Sequence, residues 1–219
     1  YNANKEAADE VVNEIRSLGR KALALQLDTS NSKNFESFAS QLSTQLTDAT
    51  GSAHIDYVVN NAGTALYSLA TDTTEEQMDA IYNIHYKGVF FLTQKLLPFL
   101  NNGGGIVNIS SGLTRIAMPG SSVYGSLKAA IETLTRYLAK ELGERKIRVN
   151  VIAPGAIETD FGGGRVRDNK EINEQIAGYT ALGRVGLPDD IGGVVAFLCT
   201  DDAYWINAQR IEVSGGQAI

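Results

Sequence analysis

Residues 106–155 read IVNISSGLTRIAMPGSSVYGSLKAAIETLTRYLAKELGERKIRVNVIAPG, and this stretch decides the fold. Ile106-Val107-Asn108-Ile109 and Arg148-Val149-Asn150-Val151-Ile152 are short runs rich in β-branched residues, the second stopped by Ala153-Pro154-Gly155. Between them Tyr124 to Leu142 reads as a helix. A strand, a helix of ten or more residues and a second strand make a right-handed βαβ unit with parallel strands.

The same alternation extends outward. Upstream, Gly103-Gly104-Gly105 leads into the first strand, and Thr74 with Gln77 makes a capping box for a long helix running toward Leu100. Ile55-Asp56-Tyr57-Val58-Val59 is a strand closed by Asn60-Asn61-Ala62-Gly63, and a helix from about Ser32 to Leu46 precedes it. Ala22 to Leu27 reads as a short buried strand ending at Asp28. From Glu6 to Leu18, Ala7, Val11, Val12, Ile15 and Leu18 recur at helical spacing, with Gly19 as the stop. Downstream come a glycine-rich loop, helices near Asn169 to Ala177 and Pro188 to Leu198, and a last strand at Arg210 to Val213. The expected fold is α/β: one doubly wound parallel sheet, Rossmann-like, in a single domain over residues 1–219. In such sheets ligands sit beyond the C-terminal ends of the strands. That rule marks Asp28, Asn60 to Gly63, Ser110 with Ser111, and Pro154-Gly155.

Composition narrows the function classes. A net charge of −6 argues against a nucleic-acid binder. No apolar run approaches the roughly 18 residues of a membrane span, and no signal peptide is visible. The single Cys199 excludes an internal disulfide and fits a reducing, cytoplasmic setting. With two histidines besides, no metal site is expected.

Tyr124 and Lys128 stand four apart on the predicted helix, so they share one face. Alone the pair is a weak signal. Ser111 lies thirteen residues before Tyr124, Asn60-Asn61-Ala62-Gly63 ends an earlier strand and Pro154-Gly155 a later one. In that order and spacing, from Ala7 to the end of the chain, these residues resemble the short-chain dehydrogenase/reductase family, in its 3-oxoacyl-carrier-protein reductase-like branch. The resemblance implies hydride transfer between NAD(P)(H) and a small carbonyl or alcohol, with Tyr124 as general acid or base and Ser111 bonded to the substrate oxygen. Lys128 would lower the phenol's pKa and hold the nicotinamide ribose. Asp28 with Thr29 would hold the adenine, although Asp28 also suits a helix cap. Asn60, Ala62 and Gly63 would line the adenosine and ribose floor, and Pro154, Gly155, Ile157 and Thr159 would flank the nicotinamide. Adjacent strand residues face opposite ways, so only one of Ser110 and Ser111 meets the cleft, and the family spacing selects Ser111.

Two departures stand out. The family's glycine-rich phosphate loop is absent: Gly103 to Gly105 precedes a strand instead of following one, and Gly162 to Gly164 falls in the predicted substrate loop. About one βαβ unit, roughly 30 residues, is missing, so the sequence is expected to be a shortened copy of a normal-length protein. The second is His85, in His85-Tyr86-Lys87-Gly88, where the family usually has asparagine. Asn83, about 200° around the helix, cannot substitute. His85 either keeps a backbone role in a proton relay to Lys128, adds a titrating group, or is a satisfied buried histidine. Tyr1 to Lys5, with no carboxylate and one lysine, favours NADP(H) over NAD(H). Arg165 and Arg167 suit either a solvated loop or an anionic group. The tail, residues 207–216, resembles the family's closing strand, and that resemblance implies a homotetramer or homodimer. The rival reading is a non-catalytic dinucleotide-binding or regulatory protein on the same scaffold.

Overall fold

The computed structural model describes residues 1–219. Four parallel strands, β1 (Ile55–Asn60), β2 (Leu100–Ile109), β3 (Arg148–Pro154) and β4 (Arg210–Val213), form one sheet in the order β1-β2-β3-β4. Val59 pairs with Val107, Val107 with Asn150, and Ile152 with Ile211. The helices are α1 (Lys5–Ser17), α2 (Phe35–Thr50), α3 (Glu75–Tyr82), α4 (Val89–Leu96), α5 (Ser122–Glu141), α6 (Arg165–Asp168), α7 (Lys170–Gly178) and α8 (Pro188–Leu198).

The period-2 alternation of the strands divides the core into two layers. On one face Val58, Ile106, Val149 and Val151 pack against α2, α4 and α5 through Ala39, Leu96, Ile131, Leu134 and Leu138. On the other, Val107 and Ile152 meet Leu198 and Ala203. The first face is covered, as a parallel sheet requires, whereas on the second the cover stops short of β1, where Val59 is 43% exposed. Arg148 fixes the second layer: its buried guanidinium donates to the carbonyls of Leu198, Thr200 and Ala203, so the last carbonyls of α8 find a cation.

Three expectations need correction. Ala22 to Leu27 is extended but outside the sheet. Its pairing is with Tyr1, whose amino group donates to the Leu25 carbonyl at 2.9 Å and whose carbonyl accepts from Leu27 N–H at 2.8 Å. Two bonds to one residue do not make a ladder, and Leu23 is exposed. The long helix begins at the expected Thr74–Gln77 capping box but is interrupted by a π-helical turn, Asn83–Gly88, between α3 and α4. Gly88 passes so close to the Thr29 carbonyl that a Cβ would fall inside its contact radius, and the extra residue of the turn aims His85 inward. Finally, Gly103 to Gly105 belong to β2 instead of preceding it; Gly104 lies against the Asp56 carbonyl, again with no space for a Cβ. No helix is long and apolar enough to cross a membrane.

Candidate active site

β2 and β3 pack against α5, and the turn that follows β2 meets its first turns. Gly125 makes the approach possible: a Cβ there would stand 3.0 Å from the Leu113 carbonyl. That carbonyl lies in a 3-10 turn, Gly112–Thr114, capped by Ser111. Ser111 Oγ accepts from Leu113 N–H at 3.2 Å, which leaves its own proton free to donate. Tyr124 is 8% exposed, and the Ser111 hydroxyl lies close enough to its phenol to favour the phenolate. One turn on, Lys128 is 6% exposed, with Nζ 5.7 Å from the Tyr124 ring centroid and donating to the Ile109 carbonyl at 2.7 Å.

The electrostatics correct one expectation. Burial pushes the Tyr124 phenol well above its ordinary pKa, and the Ser111 hydroxyl only partly opposes this. Lys128 does not outweigh burial: its ammonium donates to the Ile109 carbonyl and lies 5.7 Å from the Tyr124 ring centroid. Burial also draws Lys128 down to about 8. Spacing along a helix places two groups on one face but does not count the cost of desolvating them.

Ser110 and Ser111 do point apart. Ser110 donates to Glu132 at 2.7 Å and to the Lys128 carbonyl at 3.3 Å. Glu132 also accepts from Thr114 and Arg210, at 2.8 Å each. This bracing network behind the cleft escaped sequence reading, although Tyr124, Lys128 and Glu132 recur at i, i+4, i+8 on one helical stripe.

His85 is 1% exposed and stands edge-on to Tyr124, the ring centroids 5.2 Å apart at 86°. Its Nε2 meets the Thr64 carbonyl at 2.8 Å and the Thr64 N–H at 3.2 Å; Nδ1 is buried without a partner. Burial first, then the Lys128 charge, lowers its pKa to about 4, against a hydrogen bond to Thr64. His85 is therefore neutral at pH 7 and does not titrate there. Below the unfolded value near 6.5 the unfolded chain takes up a proton that the folded chain refuses until about pH 4. Stability should thus fall across that window, by up to roughly 3 kcal/mol. Urea midpoints at pH 7.0, 5.5 and 4.5 check this, with His85→Gln expected to flatten the profile; equal slopes in both proteins would contradict it.

The residues expected at the cofactor divide. Ala62 and Gly63 are exposed at the end of β1, and a Cβ on Gly63 would stand 2.8 Å from His85 Cε1. Gly155 is as tightly placed: a Cβ there would stand 2.6 Å from Gln217 Oε1, the oxygen that accepts from Ala156 N–H at 2.9 Å. Pro154 ends β3, Ile157 bridges to Gly186, and Thr159 Oγ1 accepts from Phe161 N–H at 3.2 Å. Asp28 is engaged locally but caps no helix: one carboxylate oxygen accepts from the Ser30 N–H at 2.9 Å and hydroxyl at 2.7 Å, while Asn31 caps the helical turn that follows. Thr29 supplies the carbonyl that Gly88 skirts. The Asn60 side chain is not on the floor of the cleft. It donates to Asn108 at 2.8 Å and Thr93 at 3.1 Å, and Asn108 donates to Thr135 at 2.9 Å, a polar network within the sheet–helix layer. Lys5 pairs with Asp9 at the surface.

This end of the sheet fits the nicotinamide–ribose half of a dinucleotide: a buried ammonium and two hydroxyls converge beside backbone that Gly63 and Gly155 keep free of side chains. No glycine-rich turn of the pyrophosphate-binding kind occurs in residues 1–219.

A family model described as enoyl-(acyl carrier protein) reductase matches residues 1–218. A hydroxynaphthalene reductase-like protein of Metarhizium majus is 37% identical over 227 residues, spanning 99% of this chain and 83% of its own. Among solved structures, the promiscuous reductase LugOII, which catalyses keto-reduction at C1 during lugdunomycin biosynthesis, superposes with a TM-score of 0.94 at 38% identity, over 100% of this chain and 86% of its own. The angucycline C-6 ketoreductase LanV, with bound NADP, gives 0.93 at 33% identity, over 100% and 84%.

Proposed function

The chain belongs to the short-chain dehydrogenase/reductase family, and from that premise we propose that it is an NADP(H)-dependent carbonyl reductase in which Tyr124 supplies the proton. The observation that carries this reading is the convergence of Ser111, Tyr124 and Lys128 in one buried corner at the C-terminal end of the sheet.

Bound NADPH supplies the hydride that the carbonyl carbon gains. Ser111 donates a hydrogen bond to the carbonyl oxygen, where negative charge develops. Tyr124 transfers its proton to that oxygen, and the C=O π bond is replaced by a C–H and an O–H bond. Lys128, cationic below about pH 8, lies 5.7 Å from the Tyr124 ring centroid, so its charge favours the phenolate left behind without outweighing burial, and a solvent proton restores the phenol. Lys128 would also hold the nicotinamide ribose, with Gly155, Ile157 and Thr159 alongside. His85 positions the Thr64 backbone and the edge of the Tyr124 ring. A homodimer or homotetramer belongs to the same reading, supported by exposed Tyr82, Phe91 and Tyr137 on the outer helices.

The preference for NADPH is supported by the NADP-bound LanV structure and by the absence of a carboxylate in Tyr1 to Lys5. Titration of the full-length protein, followed by nucleotide fluorescence, should show NADPH binding at least tenfold tighter than NADH. Equal affinities would remove the preference but not the reaction.

A further inference from the structure

Two more aromatic rings stand at the mouth of the Tyr124 cleft. Phe161 is 41% exposed, its centroid 5.9 Å from that of Tyr124 and its plane inclined by 52°. Tyr67 is 52% exposed and lies beside Gly162, the residue that follows Phe161. One turn organises both. Gly162, Gly163 and Gly164 are all left-handed, at φ +64°, +73° and +75°, and wind the chain from Phe161 to Arg165. Gly162 lies against Tyr67: a Cβ would stand 3.3 Å from both the ring and its hydroxyl oxygen. The Arg165 guanidinium lies over the Tyr67 ring, 5.3 Å from its centroid. Arg167 is tied to Asp160 at 2.6 Å and Asp168 at 2.7 Å, whereas no carboxylate pairs with Arg165. The Tyr67 segment is joined to the loop after Ser111 by the Ser68 N–H to Gly120 carbonyl bond of 2.9 Å, and that loop carries Met118, 47% exposed.

Large apolar side chains left in water around a cleft mark a ligand site. Their kind specifies the ligand further. Rings held by a glycine turn, one of them backed by a planar cation, favour a flat π-system over a flexible chain, because stacking adds to the burial of area. We propose that Tyr67 and Phe161 are specificity-determining residues and that the substrate is a fused-ring aromatic ketone or quinone, laid against both rings with its carbonyl oxygen at Ser111 and Tyr124. Arg165 braces Tyr67 from its other side. The inference rests on the carbonyl-reductase reading and names its substrate class.

The test uses the full-length protein with NADPH and two ketones, 2-tetralone and cyclohexanone, which present a similar carbonyl with and without a fused aromatic ring. The readout is the ratio of their kcat/KM values, which a partly unfolded preparation does not alter. 2-Tetralone should be favoured about tenfold or more. Tyr67→Leu and Phe161→Leu should each reduce that ratio about three- to tenfold, mainly through KM for 2-tetralone, while Tyr67→Phe keeps it. Cyclohexanone reduced as well as 2-tetralone, or a ratio unmoved by both leucine variants, would overturn the assignment and leave the reductase reading standing. Failure of both ketones and of any other carbonyl to oxidise bound NADPH would overturn the reductase reading itself, and the substrate class with it.

Discussion

Tyr124→Phe is expected to lower turnover by about a hundred- to ten-thousandfold while NADPH affinity stays within a factor of about three. The substitution deletes one oxygen from a residue that is 8% exposed, so packing is preserved and only the polar contact with Ser111 is lost. Without the phenol proton the carbonyl oxygen keeps its developing charge, and Ser111 alone can donate to it. Lys128 cannot replace the acid, since its Nζ is held by the Ile109 carbonyl at 2.7 Å and faces the ring. The variant should unfold within about 1 kcal/mol of the wild type, the usual worth of one hydrogen bond. Single-turnover kinetics with saturating NADPH check the prediction, and a variant retaining a tenth of the wild-type rate would refute the role given to Tyr124.

Gly88→Ala should cost about 3 kcal/mol of stability, near the upper range for overpacking. Its Cβ would collide with the Thr29 carbonyl and stand 2.9 Å from the Asn83 carbonyl. Both obstacles are backbone, so no rotamer change relieves them. Either the π turn must unwind, which moves His85 away from Thr64 and Tyr124, or the Asp28–Thr29 segment must retreat. Gly143→Ala is the control: no atom lies within 4 Å of its Cβ, and it should change stability by less than about 0.5 kcal/mol. Urea unfolding of the two variants separates them; equal midpoints would mean that the Gly88 contact is not tight in solution.

What was legible in the sequence follows from how local each feature is. The strands β1, β3 and β4 and the helix α5 rest on runs of β-branched residues and on helical periodicity, which neighbours in the chain decide. Ala22 to Leu27 has a strand's composition, but a strand is a relation between two segments, and this one exchanges backbone bonds with Tyr1 alone. Nothing in Asn-Ile-His-Tyr-Lys-Gly distinguishes a π turn from an α-helix; the turn answers to a carbonyl 59 positions away, from Thr29 to Gly88. Asn60 shows the opposite failure. Period-2 alternation puts it on the face of Val58, whose side chain is in the core, yet the Asn-Asn-Ala-Gly resemblance drew it to the cofactor. Ser111, Tyr124 and Lys128 do meet, but burial reverses the direction in which the phenol shifts.

The most direct test of the central claim is isotopic. Full-length protein is incubated with a carbonyl substrate and NADPH deuterated on the transferred position, and the product alcohol is analysed by mass spectrometry. Deuterium on the carbinol carbon, lost with Tyr124→Phe, is the predicted result. A folded protein that binds NADPH yet passes no deuterium to any carbonyl would contradict it and leave a dinucleotide-binding protein without catalysis.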